Sequence, residues 1–319
     1  MSAFWTMLQN VAIFVALAIP GFILVKCKIL KTEDTGNLSK VLSFIAMPLF
    51  VFYSTLTIPF SGDMTWRMIL LGGIGIVFTA CLYLLAFVLT RKESDVKKRG
   101  MLQFCMIFSN SGFLGLPLAE QVFGSFEPTA KTFLIVLNII NNIYMYTLGI
   151  YMVTGDRKQM NPKKALLNPI LFAFLLGLLC NLLKLPTILP QISDFSSKLG
   201  NMVTPLSMTI IGIKLATVPF RKIFSAPITY FSAAFKLVFS PVLAIALILL
   251  LKLAFPIINN AMVFAFFIAF CTPTAGLSST FADQFDSDTE TAVITTLGST
   301  ILSIATISLL YWGLTAILL

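Results

Sequence analysis

The sequence predicts an all-α polytopic membrane protein, on the grounds of its composition, its hydropathy and the grouping of its apolar residues. Of the 319 residues, 58% are hydrophobic and only 11% are charged, whereas soluble domains are about 45–50% apolar and about 25% charged. The mean hydropathy is +0.94. The apolar residues fall into segments near the length that a transmembrane helix needs, about 20 residues, so we expect several membrane crossings.

Ten apolar segments, separated by charged or Pro/Gly-rich stretches, are the candidate spans. The first has no positively charged leader and no small-residue cleavage site, so we expect a retained helix rather than a signal peptide. The second and seventh carry Ser, Pro and Lys and are less hydrophobic than the others. The ten segments are 4–25, 39–59, 68–90, 101–123, 132–154, 169–185, 196–216, 228–254, 261–283 and 291–318.

Basic residues alternate between the loops. The loops after odd-numbered spans hold 15 Lys and Arg residues, and those after even-numbered spans hold 5. Because basic residues favour cytoplasmic loops, this predicts a multi-pass protein of the cell membrane with both termini extracytoplasmic. The same asymmetry accounts for the net charge of +9, so membrane lipid, and not nucleic acid, is the expected partner of the basic residues.

The two halves of the chain contain matching motifs. Span 2 contains LSKVLSFIAMPL (38–49) and span 7 contains SSKLGNMVTPL (196–206), and each places a proline, Pro48 or Pro205, in mid-membrane. With five spans in each half, the second copy crosses the membrane in the opposite sense. The sequence therefore predicts two inverted five-helix repeats, 1–154 and 169–319, joined by a cytoplasmic loop, 155–168.

Spans 4 and 9 carry matching interruptions, SNSGFLGLP (109–117) and CTPTAGLSS (271–279). Non-helical backbone at membrane depth is tolerated only where it is buried in protein or lines an aqueous cavity. Half-helix N-termini suit an anion such as a carboxylate, and matching breaks in inverted repeats are typical of secondary transporters. The alternative is that these residues only kink the helices. The predicted break positions are Pro48, Pro117, Pro205 and Pro273.

The motif FSNSGFLGLPL in span 4 resembles the auxin efflux carrier family, which contains plant auxin carriers and bacterial organic-acid permeases. The segments PTAG (273–276) and FADQFDSD (281–288) in span 9 also match, as do Lys236 with Pro241 in span 8. The resemblance covers essentially the whole chain. It implies the inverted-repeat transporter fold of bile-acid and auxin type, with a scaffold domain, a transporter domain, crossing broken helices 4 and 9, and elevator-type alternating access.

The resemblance also implies a substrate site. The family's span-4 asparagine, which contacts the substrate carboxylate, corresponds to Asn110. The span-9 asparagine of the plant members has no match, because Thr272, Pro273 and Thr274 stand there, and the middle loop is short. A secondary transporter for a small carboxylate, such as malate, malonate or lactate, therefore fits better than an auxin-like aromatic carboxylate carrier. That carrier and an anion channel remain the alternatives.

The two lysines that are not counted with the loops, Lys214 and Lys236, lie inside spans. Lys236 is the ninth residue of span 8, roughly 12 Å into a core about 30 Å thick. An ionisable group at that depth indicates a function, although its long stem also allows snorkelling towards the surface. For Lys214, two residues from the end of span 7, snorkelling is the better interpretation.

Other polar residues complete the predicted site. Asn138, Asn141 and Asn142 share one face of span 5 and either line the pathway or join helices by hydrogen bonds. Glu120 is a candidate proton carrier. The predicted substrate-binding residues are Asn110, Ser111, Gly112, Thr272, Pro273, Thr274, Asn138, Asn141 and Lys236.

The residue content also argues against several function classes. With no histidine, histidine-based triads, proton relays and metal sites are excluded. No catalytic motif or metal-spaced cysteine pair is present, so we expect neither an enzyme nor a bound metal or cofactor. Coupling to H⁺ or Na⁺, and a homodimer formed through the scaffold domain, stay open.

Overall fold

The computed structural model describes residues 2–31, 34–56, 58, 62–123, 127–160, 169–217 and 220–318. The named elements of these ranges are all helical, and the one strand-like feature among them is an isolated antiparallel bridge between Ser109 and Thr274. The all-α class is therefore confirmed. Residues 161–168 of the predicted connecting loop lie outside the described residues.

The N-terminal half of the described chain forms nine α-helices, three π-helical turns and one 3₁₀ turn. The π-helical turns are Leu42–Ala46, Ser111–Gly115 and Met145–Gly149, and the 3₁₀ turn is Arg157–Gln159. The α-helices are α1 (Ser2–Ala16), α2 (Ile19–Lys26), α3 (Asp34–Val41), α4 (Met47–Leu56), α5 (Gly62–Thr90), α6 (Val96–Ile107), α7 (Leu116–Phe123), α8 (Ala130–Tyr144) and α9 (Ile150–Thr154).

The C-terminal half of the described chain forms ten α-helices and one π-helical turn, Phe235–Phe239. The α-helices are α10 (Pro169–Leu182), α11 (Leu185–Ile188), α12 (Pro190–Gly200), α13 (Val203–Thr217), α14 (Phe220–Ser225), α15 (Pro227–Ala234), α16 (Ser240–Ala254), α17 (Asn260–Cys271), α18 (Ser278–Gln284) and α19 (Thr289–Leu318).

Each of the ten predicted spans falls on helix, but the helices differ in length and continuity. The helical spans support a polytopic membrane protein. Spans 1, 4, 6 and 9 fall on helices that are short or interrupted, so the number of crossings stays a prediction. Within the described ranges, six segments are long and apolar enough to cross a membrane: Thr35–Leu56, Gly62–Thr90, Ala130–Thr154, Pro190–Ala216, Pro227–Ala254 and Thr289–Leu318.

A π-helical turn ends two residues before the mid-span proline in spans 2, 4 and 8. Proline has no N–H to donate to the carbonyl four residues back, and a π turn shifts the neighbouring bonds to the carbonyl five residues back. The residue before each proline makes such a bond: Met47 to Leu42, Leu116 to Ser111, and Ser240 to Phe235.

The four predicted break prolines therefore differ in their surroundings. Pro48 and Pro117 do not interrupt their helices, because the π turns let the helices continue. Pro205 lies in the first turn of α13, after a turn at residues 201–202, where a missing N–H costs no helical bond. Pro273 lies in a true interruption. The interruption of span 4 comes before Pro117, at residues 108–110.

Helix α2 packs against α13 at backbone distance. A Cβ atom built on Gly21 would lie 2.1 Å from the Thr209 carbonyl oxygen, and one on Gly212 would lie 1.9 Å from the Ala18 carbonyl oxygen. Small residues allow helices to approach this closely in membranes, where van der Waals packing holds helices together. Glycine at these two positions therefore fixes how spans 1 and 7 cross.

Helix α17 is the central element of the fold. Every residue from Ala261 to Cys271 is buried, so this helix is surrounded by protein. Aromatic contacts hold it on two sides, because the ring of Phe270 lies 4.6 Å from that of Phe78 and the ring of Phe264 lies 4.7 Å from that of Phe123. The interruption that follows α17 is thereby placed in the interior of the protein.

Candidate functional site

The interruptions of spans 4 and 9 lie side by side and pair with each other. The Asn110 N–H donates to the Pro273 carbonyl at 2.8 Å, and the Ala275 N–H donates to the Phe108 carbonyl at 2.9 Å. Together they form the antiparallel bridge between Ser109 and Thr274. Each break thus satisfies backbone groups of the other, which explains how non-helical chain is accommodated inside a membrane protein.

Asn110 also starts the second half of span 4. Its carbonyl accepts hydrogen bonds from the N–H groups of Leu114 and Gly115, both at 3.1 Å. The residue as a whole is only 4% exposed. A helix leaves its first N–H groups without intrahelical acceptors, so the N-terminal end at Ser111 supplies partial positive charge beside the Asn110 side chain.

A cavity of about 340 Å³ lies at this crossing. Its size falls within the range of small-molecule pockets, about 300–1,000 Å³. Four predicted binding residues line it: Asn110, Gly112, Asn138 and Asn141. The other lining residues come from spans 2, 4, 5, 6 and 9, and they are Ser43, Phe44, Met47, Ser109, Phe113, Asn142, Met145, Tyr146, Pro169, Ile170, Ala275, Gly276 and Leu277.

The asparagine face of α8 has both predicted roles. All three asparagines line the cavity, and two of them bond to the break of span 4. Asn138 Nδ2 donates to Ser111 Oγ at 2.9 Å, and Asn141 Nδ2 donates to the Ser109 carbonyl at 3.3 Å. Asn142 Nδ2 donates to the Asn138 carbonyl at 2.8 Å. The face therefore lines the cavity and supports the break at the same time.

Five of the nine residues predicted to bind substrate do not line the cavity: Ser111, Thr272, Pro273, Thr274 and Lys236. Ser111 lies behind it and accepts from Asn138. Alternate residues of an extended segment point to opposite sides, and Thr272 and Thr274 both point into the protein. Thr274 Oγ1 donates to the Cys105 carbonyl at 2.9 Å, and Thr272 Oγ1 is buried without a hydrogen-bond partner. Pro273 contributes its carbonyl to the pairing, and residues 275–277 face the cavity instead.

Lys236 is buried directly behind the break. Its side chain is fully buried, and Nζ donates to the Ile107 carbonyl at 3.0 Å and to Ser109 Oγ. It therefore does not snorkel to the surface. A cation at the C-terminal end of α6 is favourable because unpaired carbonyls collect there. Lys236 does not line the cavity, so it reaches the cavity only through Ser109.

Lys214 also does not snorkel, contrary to the interpretation of its position. Its Nζ donates to the Gly276 carbonyl at 3.2 Å and to Ser279 Oγ at 2.9 Å. The polar groups freed by the break of span 9 hold it inside the protein. The sequence contained a signal that this part of span 7 faces protein. Ser207 stands seven residues before Lys214 on the same helix face, so two polar side chains lie on one side of the helix. Ser207 Oγ donates to the Phe113 carbonyl at 3.0 Å.

A second cavity, of about 30 Å³, is lined by Lys214 and Ser207. It shares Asn110, Phe113, Gly276 and Leu277 with the larger cavity. Among the described residues that line either cavity, Lys214 is the single charged side chain, and none is a carboxylate. The side-chain charge that lines the two cavities is therefore positive.

Glu120 lies elsewhere. Its carboxylate forms an ion pair with Lys131 at the junction of α7 and α8, and it does not line the large cavity. Nζ of Lys131 also lies 5.8 Å from the ring centre of Phe50 and 5.9 Å from that of Tyr53. Glu120 therefore belongs to a cluster that joins spans 2, 4 and 5 away from the crossing.

Comparison with known proteins assigns the chain to a family, since it matches the membrane transport protein family over residues 6–311. It is similar to an uncharacterized transporter of Methanothermobacter thermautotrophicus (strain Delta H), with 28% identity over 305 residues, 94% of this chain and 96% of that protein. It is also similar to the lysosomal cholesterol signaling protein of Mus musculus, with 23% identity over 92% of this chain and 36% of that longer protein. The resemblance found in the sequence is thus confirmed, and the chain belongs to the membrane transport protein family, the family of the auxin efflux carriers.

Proposed function

We propose that this membrane transporter is a secondary carrier that moves a small organic anion, such as malate, malonate or lactate, by elevator-type alternating access. The observation that carries the proposal is the pair of crossing breaks beside a cavity lined by Asn110 and by no carboxylate among the described residues. Such a site supplies hydrogen-bond donors and a positive potential to an anion.

The break has the groups that bind a carboxylate. The Asn110 amide provides a donor at the cavity wall, and the half-helices that begin at Ser111 and Ser278 direct their positive ends towards the crossing. Charge-assisted hydrogen bonds to a carboxylate are roughly twice as strong as neutral ones. They offset the cost of removing the anion from water.

The packing of the helices supports two inverted repeats. Helix α2 packs on α13, and α4 packs on α10, which pairs span 1 with span 7 and span 2 with span 6. In two five-span repeats, span 1 corresponds to span 6 and span 2 to span 7, so exchanging the two halves of the chain turns the first packed pair into the second. We assign these four spans to a scaffold domain and the other six, which carry the crossing breaks, to a transporter domain.

The contact between the assigned domains is suited to sliding. A small, mainly apolar cavity separates Ala18 and Met208 of the scaffold from Leu114 and Leu118 of span 4. The apolar part of this contact exchanges partners at low cost, whereas the hydrogen bonds from Ser207 and Lys214 to spans 4 and 9 must break. The apolar part supports a movement of the transporter domain along the scaffold.

The two ends of the site support an inward-facing state. Ser43 and Pro169 line the cavity near the ends of spans 2 and 6 that the charge pattern predicts to be cytoplasmic. On the opposite side, the cluster of Lys131 with Glu120, Phe50 and Tyr53 joins span 2 to spans 4 and 5. We assign this cluster to the closed extracytoplasmic gate.

An auxin-like aromatic carboxylate is the second candidate substrate. Phe44, Phe113 and Tyr146 line the cavity, and aromatic walls of this kind stack well against a ring. Transport assays should therefore include phenylacetate beside the small acids.

The proposal is tested by uptake into proteoliposomes. Vesicles loaded with unlabelled malate, malonate, lactate or phenylacetate are diluted into the same labelled acid. A carrier gives saturable uptake that is stimulated by the internal acid, because inward and outward steps use the same site. Uptake that neither saturates nor responds to internal acid indicates a channel, and no uptake of any of the four acids refutes the proposed substrate class.

A further inference from the structure

Lys214 connects two parts of the protein that the proposed mechanism moves apart. It belongs to α13 in the assigned scaffold, and its Nζ bonds to the Gly276 carbonyl and Ser279 Oγ of the span-9 break. It is the single charged side chain among the described residues that line the two cavities. The cation therefore lies where the two domains meet and where an anion is expected.

Lys214 and Asn110 converge on one residue, Gly276. A Cβ atom built on Gly276 would lie 3.7 Å from Asn110 Nδ2, and the Gly276 carbonyl accepts the Lys214 ammonium at 3.2 Å. A carboxylate bound by the Asn110 amide at this glycine is therefore within a short distance of the Lys214 ammonium.

The space beside Lys214 is small in this state. The small cavity has a volume of about 30 Å³, room for about two water molecules at about 10–15 Å³ each. A carboxylate fits beside Lys214 only when the hydrogen bonds from Lys214 to Gly276 and Ser279 are broken. Occupation of the site by an anion and release of this link are therefore the same event.

The charge of the ligand decides whether the exchange is favourable. The Gly276 carbonyl and the Ser279 hydroxyl are neutral acceptors, and an ammonium binds a carboxylate more strongly than a neutral oxygen. A neutral ligand offers Lys214 no gain over its present partners. An anion offers Lys214 such a gain, and the gain is larger where water is scarce.

We propose that Lys214 recognises the charge of the substrate: it exchanges Gly276 and Ser279 for the substrate carboxylate and so makes both binding and domain release selective for anions. This inference rests on the proposed function. It assigns to Lys214 a specificity-determining role that is separate from the donor role of Asn110.

The test compares acids with their neutral amides by isothermal titration calorimetry on purified protein. The probes are three pairs of acid and amide: lactate with lactamide, malate with malamide, and malonate with malonamide. Wild-type protein should bind at least one acid ten or more times as tightly as the matching amide. Lys214→Gln should lose most of that preference, and Lys214→Arg should keep most of it.

The matched control is Lys252→Gln. Lys252 is also partly buried, and it donates to Asn260 Oδ1 away from the crossing, so this variant should keep the wild-type preference. A Lys214→Gln variant with the wild-type ratio of acid to amide affinity overturns the inference and leaves the proposed function standing. Failure of all three acids to bind wild-type protein overturns the proposed function, and this inference with it.

Ser279→Ala provides an independent test if Lys214→Gln does not fold. It removes a neutral acceptor that competes with the carboxylate for Lys214. The acid should then bind several times more tightly, while the amide affinity stays the same. An unchanged or weaker acid affinity in folded Ser279→Ala contradicts the exchange.

Discussion

The main-chain N–H of Asn110 donates a 2.8 Å hydrogen bond to the carbonyl of Pro273. This bond joins two breaks that lie in different halves of the sequence, and it leaves the Asn110 side chain at the cavity wall. The backbone of Asn110 therefore holds the crossing together, while its amide is available to a ligand. Side-chain substitutions at this position test binding without removing the main-chain bond.

Asn110→Ala should weaken binding of the preferred acid about ten- to a hundredfold. The substitution removes one hydrogen bond to a charged group, worth about 1.5–3 kcal/mol. Asn110→Asp should bind more weakly still, because its carboxylate repels the anion. Calorimetry on folded, monodisperse protein measures both affinities.

The matched control for this prediction is Asn201→Ala, in the exposed turn between α12 and α13, which should bind like wild type. If Asn110→Ala keeps the wild-type affinity, Asn110 does not contact the substrate. If both Asn110 variants lose thermal stability and keep their affinity, the residue only supports the broken helix.

Lys236→Gln should slow transport while the protein stays folded. The ammonium holds Ile107 and Ser109 at the break, and Ser109 lines the cavity, so Lys236 acts as a positioning residue. Its removal also relieves the cost of a buried charge, which limits the net loss of stability. Proteoliposome uptake and melting temperature should therefore respond differently to this substitution.

Two further variants define the role of Lys236. Lys236→Arg keeps a charged donor and should retain more transport than Lys236→Gln. Ser109→Ala removes the link between Lys236 and the cavity and should reproduce part of the transport defect. Unchanged uptake kinetics in Lys236→Gln would reject any functional role for this lysine.

Gly212→Ala should destabilise the contact between α2 and α13. The added methyl group meets the Ala18 carbonyl oxygen at 1.9 Å, and overpacking of this kind costs about 1–3 kcal/mol. Gly73→Ala is the matched control, because nothing lies within 4 Å of its Cβ position in α5 and alanine favours helix over glycine. The melting temperature should fall for the first variant and stay or rise for the second.

The predicted topology is tested by labelling single cysteines in a variant without native cysteines. Ser94→Cys lies in the basic loop between α5 and α6, and Pro128→Cys lies in the loop before α8, and both native residues are exposed. In intact cells an impermeant maleimide should label position 128 and leave position 94 unlabelled until the cells are opened. The reverse pattern would invert the orientation of the protein.

The sequence predicted the position of the crossing because the physical conflict there is local. Clusters of polar residues, glycine and proline inside two apolar spans indicated breaks there, and two breaks at matching positions suggested a shared site. The asparagine face of α8 followed equally from helical spacing, which places Asn138, Asn141 and Asn142 on one side. Local rules were sufficient for these features.

Other features depended on tertiary contacts and could not be read from spacing. The side of an extended segment that faces a cavity is set by its neighbours, so Thr272 and Thr274 were expected at the cavity and lie behind it. Spacing also does not show that the span-4 break lies before Pro117. The proline itself was the expected break, but the π turn at Ser111–Gly115 lets the helix continue through it. Spacing places Lys214 on the same helix face as Ser207 but does not tell what that face contacts, and Lys214 reaches the site because α13 packs beside the span-9 break.

The most direct test is a structure of the protein in complex with the acid that binds most tightly. We expect density for the acid at the crossing, with its carboxylate within hydrogen-bond distance of Asn110 Nδ2 and beside Gly276. An acid bound elsewhere, or bound in the cavity with its carboxylate turned away from Asn110, would contradict the assignment of the paired breaks as the substrate site.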